Sequence, residues 1–329
     1  MTREIKMKRT TIKDLAEMLN ISTSTVSRAL KDHPDISSTV KLKVREAAET
    51  FNYVPNDFAI NFRNKSSKVI GLIVPEISMF FLPSIINGIS SILNKEGYRF
   101  FTLSSGDSYE TEKEHIETCI NSRVDGILIS LTKETKDCKH LRKLVDMEIP
   151  VVIFDKTVPQ DIFESVVFDN VKNSELSADR LIDHGCQNIL AIFGDENLEI
   201  TQSRLNSFET RIRQSPAIDL TIIFCKSADQ VKEKLDLLLD DRSFDGFFAM
   251  SDETLMGLHS SLIKRNLNNT NKKVVAISEG TLPKFLDETY EYQINDGHQM
   301  GSFAAKRLME KLMNDRSKVS ENSNQSHYL

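Results

Sequence analysis

Ten short, almost wholly apolar runs recur between residues 69 and 295, and they constrain the fold more than any other feature of the chain. They are "VIGLIVP" (69–75), "RFFTLSS" (99–105), "VDGILIS" (124–130), "PVVIFD" (150–155), "SVVFD" (165–169), "NILAIFG" (188–194), "LTIIFC" (220–225), "DGFFAMS" (245–251), "KVVAIS" (273–278) and "YEYQIN" (290–295). A strand covered on both faces has no side to show to water, so it reads as a continuous apolar run rather than an alternating one. Amphipathic stretches of helical length, such as "LPSIINGISSILNKEG" and "NSELSADRLIDHG", separate most of the runs. Alternating strands and helices of this kind imply parallel sheets with helices on both faces. Ten strands exceed one ordinary sheet, so the pattern predicts two α/β lobes over residues 69–313. Their boundary is expected near 155–170, with the chain crossing back near 290.

The N-terminal residues follow a different rule. Thr11 and Asp14 form a capping pattern ahead of Ile12, Leu15, Ala16 and Leu19, which share one helical stripe. Ser22 is a natural cap for a second helix, with Val26, Ala29 and Leu30 turned inward. That leaves Thr23, Ser24, Thr25, Ser27 and Arg28 on its outer face. Small hydroxyls meet phosphates and base edges without bulk, and Arg pairs bidentately with guanine. Two short helices joined by a tight turn are a helix-turn-helix, whose second helix enters the major groove. A third helix follows in "SSTVKLKVREAAETFNYVPN", with Val44, Ala47, Ala48 and Phe51 inward and Lys41, Lys43 and Arg45 outward.

These motifs, in this order, resemble the DNA-binding headpiece of the lactose-repressor (LacI/GalR) family over residues 10–63. The resemblance implies an all-α headpiece over 1–55 that meets double-stranded DNA through Thr11, Ser22, Thr23, Ser24, Thr25, Ser27, Arg28, Ser37 and Tyr53. It further implies a hinge helix and linker over 56–68, with Asn56, Ala59 and Phe62 at the minor groove. Phe62 stands at the position of an apolar wedge that is leucine in the best-known members, and Phe is also a wedge residue. Residues 56–63 are too few for a stable isolated helix, so this segment is expected to fold only where something buries its apolar side.

The resemblance extends, more loosely, to a periplasmic-binding-protein-like core over 69–313. In open α/β sheets ligands sit outside the carboxyl ends of the strands. Those ends carry Glu76, Ser130, Asp155, Asp169, Asp195, Ser251, Asp252, Ser278, Glu279 and Asn295. Polar groups of this kind beside Phe80 and Phe81 suit a sugar-like or nucleoside-like effector. The family pattern, carried over position by position, implies ligand contacts from Phe80, Phe81, Asp155, Arg204, Asp252, Ser278 and Asn295. Three positions depart from it: Ser251 replaces the usual Asn, Ser278 stands where many relatives carry Asp, and Asn295 occupies a position that is commonly Gln.

Charge agrees with a partner of opposite sign at one end. Residues 1–68 hold 13 Lys and Arg against 8 Asp and Glu, whereas the remainder holds 29 against 40. A basic head on an acidic body suits DNA at the head and repels it elsewhere. The basic start, "MTREIKMKRT", lacks the apolar region of a secretory signal, and no run reaches the length of a membrane span. A cytoplasmic protein is therefore expected, with Cys119, Cys138, Cys186 and Cys225 reduced and structural. No nucleotide loop, metal-binding spacing or nucleophile motif occurs, so neither cofactor nor metal is expected, and His115, His140, His184 and His259 are expected to be solvated or capping. The leading function is a sequence-specific transcription regulator, a repressor controlled by a small carbohydrate-like effector, acting as a homodimer on a pseudo-palindromic operator. The alternatives are a regulator of the same family that answers to a protein partner, a sugar-binding transport protein, and an enzyme on a flavodoxin-like core. Residues 314–329 contain no heptad and are expected to be a disordered tail.

Overall fold

The computed structural model describes residues 10–53, 66–76, 81–156, 163–267, 271–314 and 326–328. The chain divides into two compact units, Met1–Ser67 and Lys68–Leu329. Residues 1–9, the expected hinge helix with Asn56, Ala59 and Phe62, and Phe80 lie outside the described residues.

In the first unit three helices surround a small core: α1 (Ile12–Met18), α2 (Thr23–Leu30) and α3 (Ser38–Thr50). Each begins on a hydroxyl cap. Thr11 Oγ1 accepts from the Asp14 N–H at 3.3 Å, and the Asp14 carboxylate accepts from the Thr11 N–H at 2.7 Å. This reciprocal box satisfies two donors that a helix start leaves orphaned. Ser22 and Ser37 accept from the N–H groups of Thr25 and Val40 at 3.1 and 3.4 Å. Leu15, Ala16, Val26, Ala29 and Val44 form the buried centre, with Ile12, Leu19, Leu30, Ala47 and Ala48 packed against it. Phe51 departs from the inward stripe expected of it and is 44% exposed. It caps the carboxyl end of α3, where the helix has stopped and the 3.6-residue period no longer sets its direction.

The second unit holds two lobes built on one plan. The first carries β1 (Val69–Val74), α4 (Phe81–Lys95), β2 (Arg99–Ser104), α5 (Tyr109–Asn121), β3 (Gly126–Ile129), α6 (Arg142–Asp146), β4 (Val151–Phe154) and β5 (Glu164–Val167). The second carries α7 (Asn170–Asp183), β6 (Asn188–Phe193), α8 (Glu199–Arg213), β7 (Asp219–Phe224), α9 (Ala228–Asp241), β8 (Gly246–Ala249), α10 (Asp252–Lys264), β9 (Lys273–Ser278), α11 (Leu282–Leu286) and β10 (Glu291–Ile294). The strand orders are β2-β1-β3-β4-β5 and β7-β6-β8-β9-β10, with every pairing parallel. Both repeat the doubly wound order in which the chain reverses direction beside its first strand and leaves a crevice at the carboxyl ends. All ten apolar runs contain a strand. The chain enters the second sheet's lobe with α7 and returns after β10, at α12 (Gly297–Asn314), which packs on α4 and on β3, β4 and β5.

Two glycines let α4 and α12 approach backbone to backbone. A Cβ at Gly88 would lie 2.2 Å from the His298 carbonyl oxygen, and one at Gly301 would lie 2.1 Å from that of Ile85. At the other end of α12, Arg307 and Lys311 both reach the buried carboxylate of Glu164 on β5, Lys311 at 3.1 Å. Burial raises the pKa of that carboxyl, but its two cationic partners outweigh burial and hold it below the usual range.

The expected disordered tail needs correction at two points. Helix α12 runs through Asn314, and residues 326–328 form β11, which pairs parallel with β5 from Ser326–Ser165 to Tyr328–Val167. The absence of a heptad argued against a coiled coil but said nothing about strand addition. The edge of a sheet offers unpaired N–H and C=O groups to any extended backbone, whatever its side chains.

The glycine contact yields a test. In a helix interior Ala is favoured over Gly by about 0.5–1 kcal/mol, so an unhindered Gly301→Ala change would stabilise the core. With backbone 2.1 Å from the new Cβ, Gly301→Ala should instead destabilise it, and Gly301→Val should cost about 1–3 kcal/mol. Urea denaturation of the purified variants measures both, and a stabilised alanine variant would show that the two helices separate freely.

Candidate functional site

A cavity of about 320 Å³ opens between the lobes, bordered by strand ends of both sheets and by the start of α4 and the inner face of α8. Parallel sheets point their strand carboxyl ends the same way, so short polar side chains just past each apolar run converge there. Phe81, Asp155 and Phe168 line it from the first lobe. Arg204, Ser251, Asp252, Ser278, Glu279 and Asn295 are among those that line it from the second. The structure thus gathers every described residue expected at the ligand site into one place.

Arg204 organises the floor. It projects from α8 with 4% of its surface exposed; Nε donates to Asn170 Oδ1 at 3.0 Å and Nη1 donates to the Met250 carbonyl at 2.7 Å. Burial lowers its pKa to about 10, against the opposing pull of Asp155 and Asp252. Asp155 takes a left-handed backbone with φ of 68°, a conformation that Asp tolerates better than most residues. Burial raises its pKa, while Lys156, Arg204 and the Ser130 hydroxyl, which donates to Oδ2 at 3.4 Å, resist. Burial likewise raises the pKa of Asp252, and the neighbouring Glu279 charge adds to the rise.

Several expected ligand contacts are already committed. Ser278 Oγ donates to Asp252 Oδ1 and accepts from the Gly280 N–H at 2.9 Å. The second oxygen of Asp252 accepts from the Glu279 N–H at 2.9 Å. Ser278 and Asp252 therefore fix the turn after β9 to the start of α10. Ser251 caps α10, accepting from the Thr254 N–H at 3.3 Å. Asn295 lines the cavity, and its Oδ1 accepts from Asn173 Nδ2 at 3.0 Å. Phe81 tilts against Phe168, with ring centroids 6.1 Å apart.

The expected ligand set omitted Glu279, Asn170 and Phe168, all of which line the cavity. Glu279 stands among the polar strand-end residues, and Phe168 and Asn170 flank the strand-end Asp169, so strand-end position is the signal that marks all three. Glu279 also accepts from the Ser84 hydroxyl of α4 at 2.9 Å, a hydrogen bond that runs from lobe to lobe. Of the other strand-end residues, Asp169 caps α7 and Asp195 pairs with Lys226 at 3.0 Å.

In the N-terminal unit, Thr23, Ser24 and Arg28 of α2 are exposed, while Thr25 and Ser27 are half-buried. Ser22 Oγ lies 2.7 Å from Ser24 Oγ and 2.8 Å from Thr25 Oγ1, so these hydroxyls form one chain at the helix start. Thr11 and Ser37 are exposed caps of α1 and α3. Half-buried Tyr53 is held by its N–H to the Ala48 carbonyl at 2.8 Å, and burial raises its phenol pKa. Lys41 and Arg45 both pair with Asp32, each at 3.1 Å, so two of the three outward cations of α3 have an internal counter-charge.

The histidines differ from expectation in two cases, the first being His259, which sits inside α10 with its Nδ1 2.9 Å from the hydroxyl of buried Tyr290. His140 is buried and its Nε2 lies 2.8 Å from the fully buried Glu112 carboxylate, which also accepts from the Thr132 N–H at 2.7 Å. It is neither solvated nor a cap; it pins the segment after β3 to α5. All four cysteines are buried, and none is in a disulfide. Among the described residues no helix is long and apolar enough to cross a membrane.

A headpiece of three capped helices and a two-lobed, doubly wound core with a polar cleft define a ligand-responsive regulator. Comparison with known proteins gives the same class. Residues 11–56 match the family described as bacterial regulatory proteins, lacI family, and residues 67–323 match periplasmic binding proteins and sugar binding domain of LacI family. The ribose operon repressor of Lactococcus lactis subsp. lactis (strain IL1403) is 25% identical, covering 93% of this chain and 92% of that protein. The HTH-type transcriptional regulator MalR of Staphylococcus xylosus is 30% identical, covering 74% of each chain. The crystal structure of the Lac repressor dimer bound to operator and the anti-inducer ONPF shares the fold, with a TM-score of 0.81 at 19% identity over 93% of this chain and 94% of that one. The chain belongs to the LacI family of bacterial regulatory proteins. It is a DNA-binding transcription regulator and not an enzyme.

Arg204 supplies the test of this geometry. Removing one partner from a buried charge group strands the other, at a cost of about 3–5 kcal/mol. Arg204→Ala should therefore lower the unfolding free energy of the ligand-free protein by about 3 kcal/mol, with Asp155 and Asp252 left without their cation. Chemical denaturation reads it directly. A loss below about 1 kcal/mol would mean that water, not the guanidinium, balances those carboxylates.

Proposed function

We propose that this regulator represses transcription as a cytoplasmic homodimer on a pseudo-palindromic operator, and that a small carbohydrate-like effector in the interlobe cleft controls it. The observation that carries the proposal is the convergence of Asp155, Arg204, Asn295 and Phe81 on one cavity from both lobes. Carboxylate and guanidinium groups pair bidentately with hydroxyls, and an aromatic ring supplies a face for an apolar one. The cavity lies at the small end of the range for ligand pockets, which suits a single ring. The relative named for the ribose operon supports the same class of effector.

In this reading α2 enters the major groove, with Arg28 reading a base and Thr23, Ser24, Thr25 and Ser27 meeting phosphates and base edges. Thr11, Ser22, Ser37 and Tyr53 hold the backbone from the helix starts and from the end of α3. Asn56, Ala59 and Phe62 serve at the minor groove, Phe62 as the wedge. The effector acts by its differential affinity for two lobe arrangements, since a ligand that binds both equally shifts nothing. A second reading, control by a protein partner, draws on the commitment of Ser278 and Asp252 to one another, which removes two of the expected sugar contacts.

Fluorescence anisotropy on operator DNA tests both halves. Arg28→Ala should weaken specific binding by about 1–3 kcal/mol and relax preference at one base pair of each half-site. Lys43→Ala should weaken all sequences alike and flatten the salt dependence. Because Lys41 is tied to Asp32, Lys41→Ala should change the salt slope less than Lys43→Ala. A carbohydrate that binds the core should change operator affinity by about 1–3 kcal/mol, the usual coupling range. Unchanged base preference in Arg28→Ala would remove α2 from the groove; a panel of sugars with no effect on operator affinity would favour the protein-partner reading.

A further inference from the structure

We infer that the effector of this protein carries no negative charge, and that phosphorylated and carboxylated rings are excluded from the cleft by its own carboxylates. The inference rests on the cleft being the effector site, as proposed above, and narrows the chemical class it accepts. Four carboxylates line the cavity, Asp155, Asp252, Glu253 and Glu279, against one cation, Arg204. That cation is tied down in part: its Nε donates to Asn170 and its Nη1 to the Met250 carbonyl, and the neighbouring Asp155 and Asp252 charges act on it.

The nearest additional cations do not change the sign. Lys156 donates to the Leu131 carbonyl at 3.2 Å, and Lys133 pairs with Asp107 at 2.9 Å while also lying near Glu76, Asp195 and Glu253. In the sequence, the stretches 77–80 and 157–162 contain no Lys or Arg. The carboxylates already feel one another: Glu279 raises the pKa of Asp252, and Glu76 raises that of Glu253, in each case adding to the effect of burial. An anion placed here would add a further like charge where solvent screening is weak, and like charges at such range repel strongly. A hydroxyl meets the opposite situation, because it donates to a carboxylate. Asp155 has only a long contact from Ser130, and Glu279 uses one oxygen for Ser84, so both retain acceptor capacity toward the cavity. Glu279 is thus a specificity-determining residue that the family pattern did not point to.

The test uses matched pairs on the full-length protein by isothermal titration calorimetry: D-ribose with ribose 5-phosphate, D-fructose with fructose 1-phosphate, D-glucose with glucose 6-phosphate and glucuronate, and D-galactose with galacturonate. At least one free sugar should bind, with its anionic counterpart at least about 100-fold weaker, a gap equal to about 2.7 kcal/mol. In the double variant Glu253→Gln/Glu279→Gln that gap should close by at least tenfold, with circular dichroism and urea denaturation confirming the fold. An anionic member that binds within tenfold of its parent, or more tightly, overturns the inference while leaving the cleft as the effector site. A gap that persists unchanged in the double variant also overturns it, since exclusion would then be steric. If no member binds at all, the carbohydrate-effector reading itself fails and takes this inference with it.

Discussion

A buried guanidinium at the meeting point of two parallel sheets is the constraint on which the core depends. Arg204 has to be charged, has to be out of water, and therefore has to be surrounded by acceptors with fixed geometry. The fold supplies two from separate chain segments, the carbonyl at the end of β8 and the amide at the start of α7, and brings the charges of the carboxylates that follow β4 and start α10 to bear on it. Asp155 belongs to the first lobe and the other partners to the second, so the same cation is felt on both sides of the cleft. Burying charge in this way stabilises little by itself, because desolvation offsets most of the Coulomb gain. Its consequence is specificity of position, since a misplaced partner would leave a charge uncompensated.

The topology explains why those partners arrive together. Both sheets have the same doubly wound order, and each places its crevice at the carboxyl ends of its strands. With the crevices opposed, residues far apart in sequence become neighbours, as Ser84 in the first turn of α4 and Glu279 just after β9 do at 2.9 Å. The return of the chain through α12 closes the plan. Gly88 and Gly301 allow α12 to settle on α4, and Glu164 anchors its far end through Arg307 and Lys311. Helix α4, which carries Phe81 at its start, is thereby held by packing that has no part in the cleft.

Much of this was legible in the sequence, for reasons that differ by element. Seven of the ten strands could be read because burial on both faces leaves little other composition for them, the half-buried edge strands β2, β7 and β10 from the alternation with helices, and the caps at Thr11, Ser22 and Ser37 because hydroxyl capping is local chemistry. Strand β11 was not legible, because edge pairing uses backbone alone and "SHY" has no apolar signature. His140 was misread for a related reason: a lone histidine shows nothing of Glu112, which lies 28 positions away and completes its environment. The cleft residues were found by position at strand ends, but what each one does was not. Ser278 stands where a ligand contact was expected and spends its hydroxyl on Asp252 and Gly280, whereas its neighbour Glu279 faces the cavity.

The cross-lobe hydrogen bond sets a scale for how the cleft transmits a signal. A hydrogen bond to a charged group contributes about 1.5–3 kcal/mol net, and less where water competes, and the Ser84–Glu279 pair is only part-buried. That is the same size as the coupling energies by which effectors usually act, about 1–3 kcal/mol. An effector that engages Glu279 from inside the cavity therefore works on a contact of its own magnitude and is not opposed by a lock it cannot break. Arg204 differs, because its partners are buried and withdrawing them costs more than a small ligand returns. The cleft thus joins a buried centre at Arg204 to a part-buried contact between the lobes at Glu279, and of the two it is the second whose strength a small ligand can match.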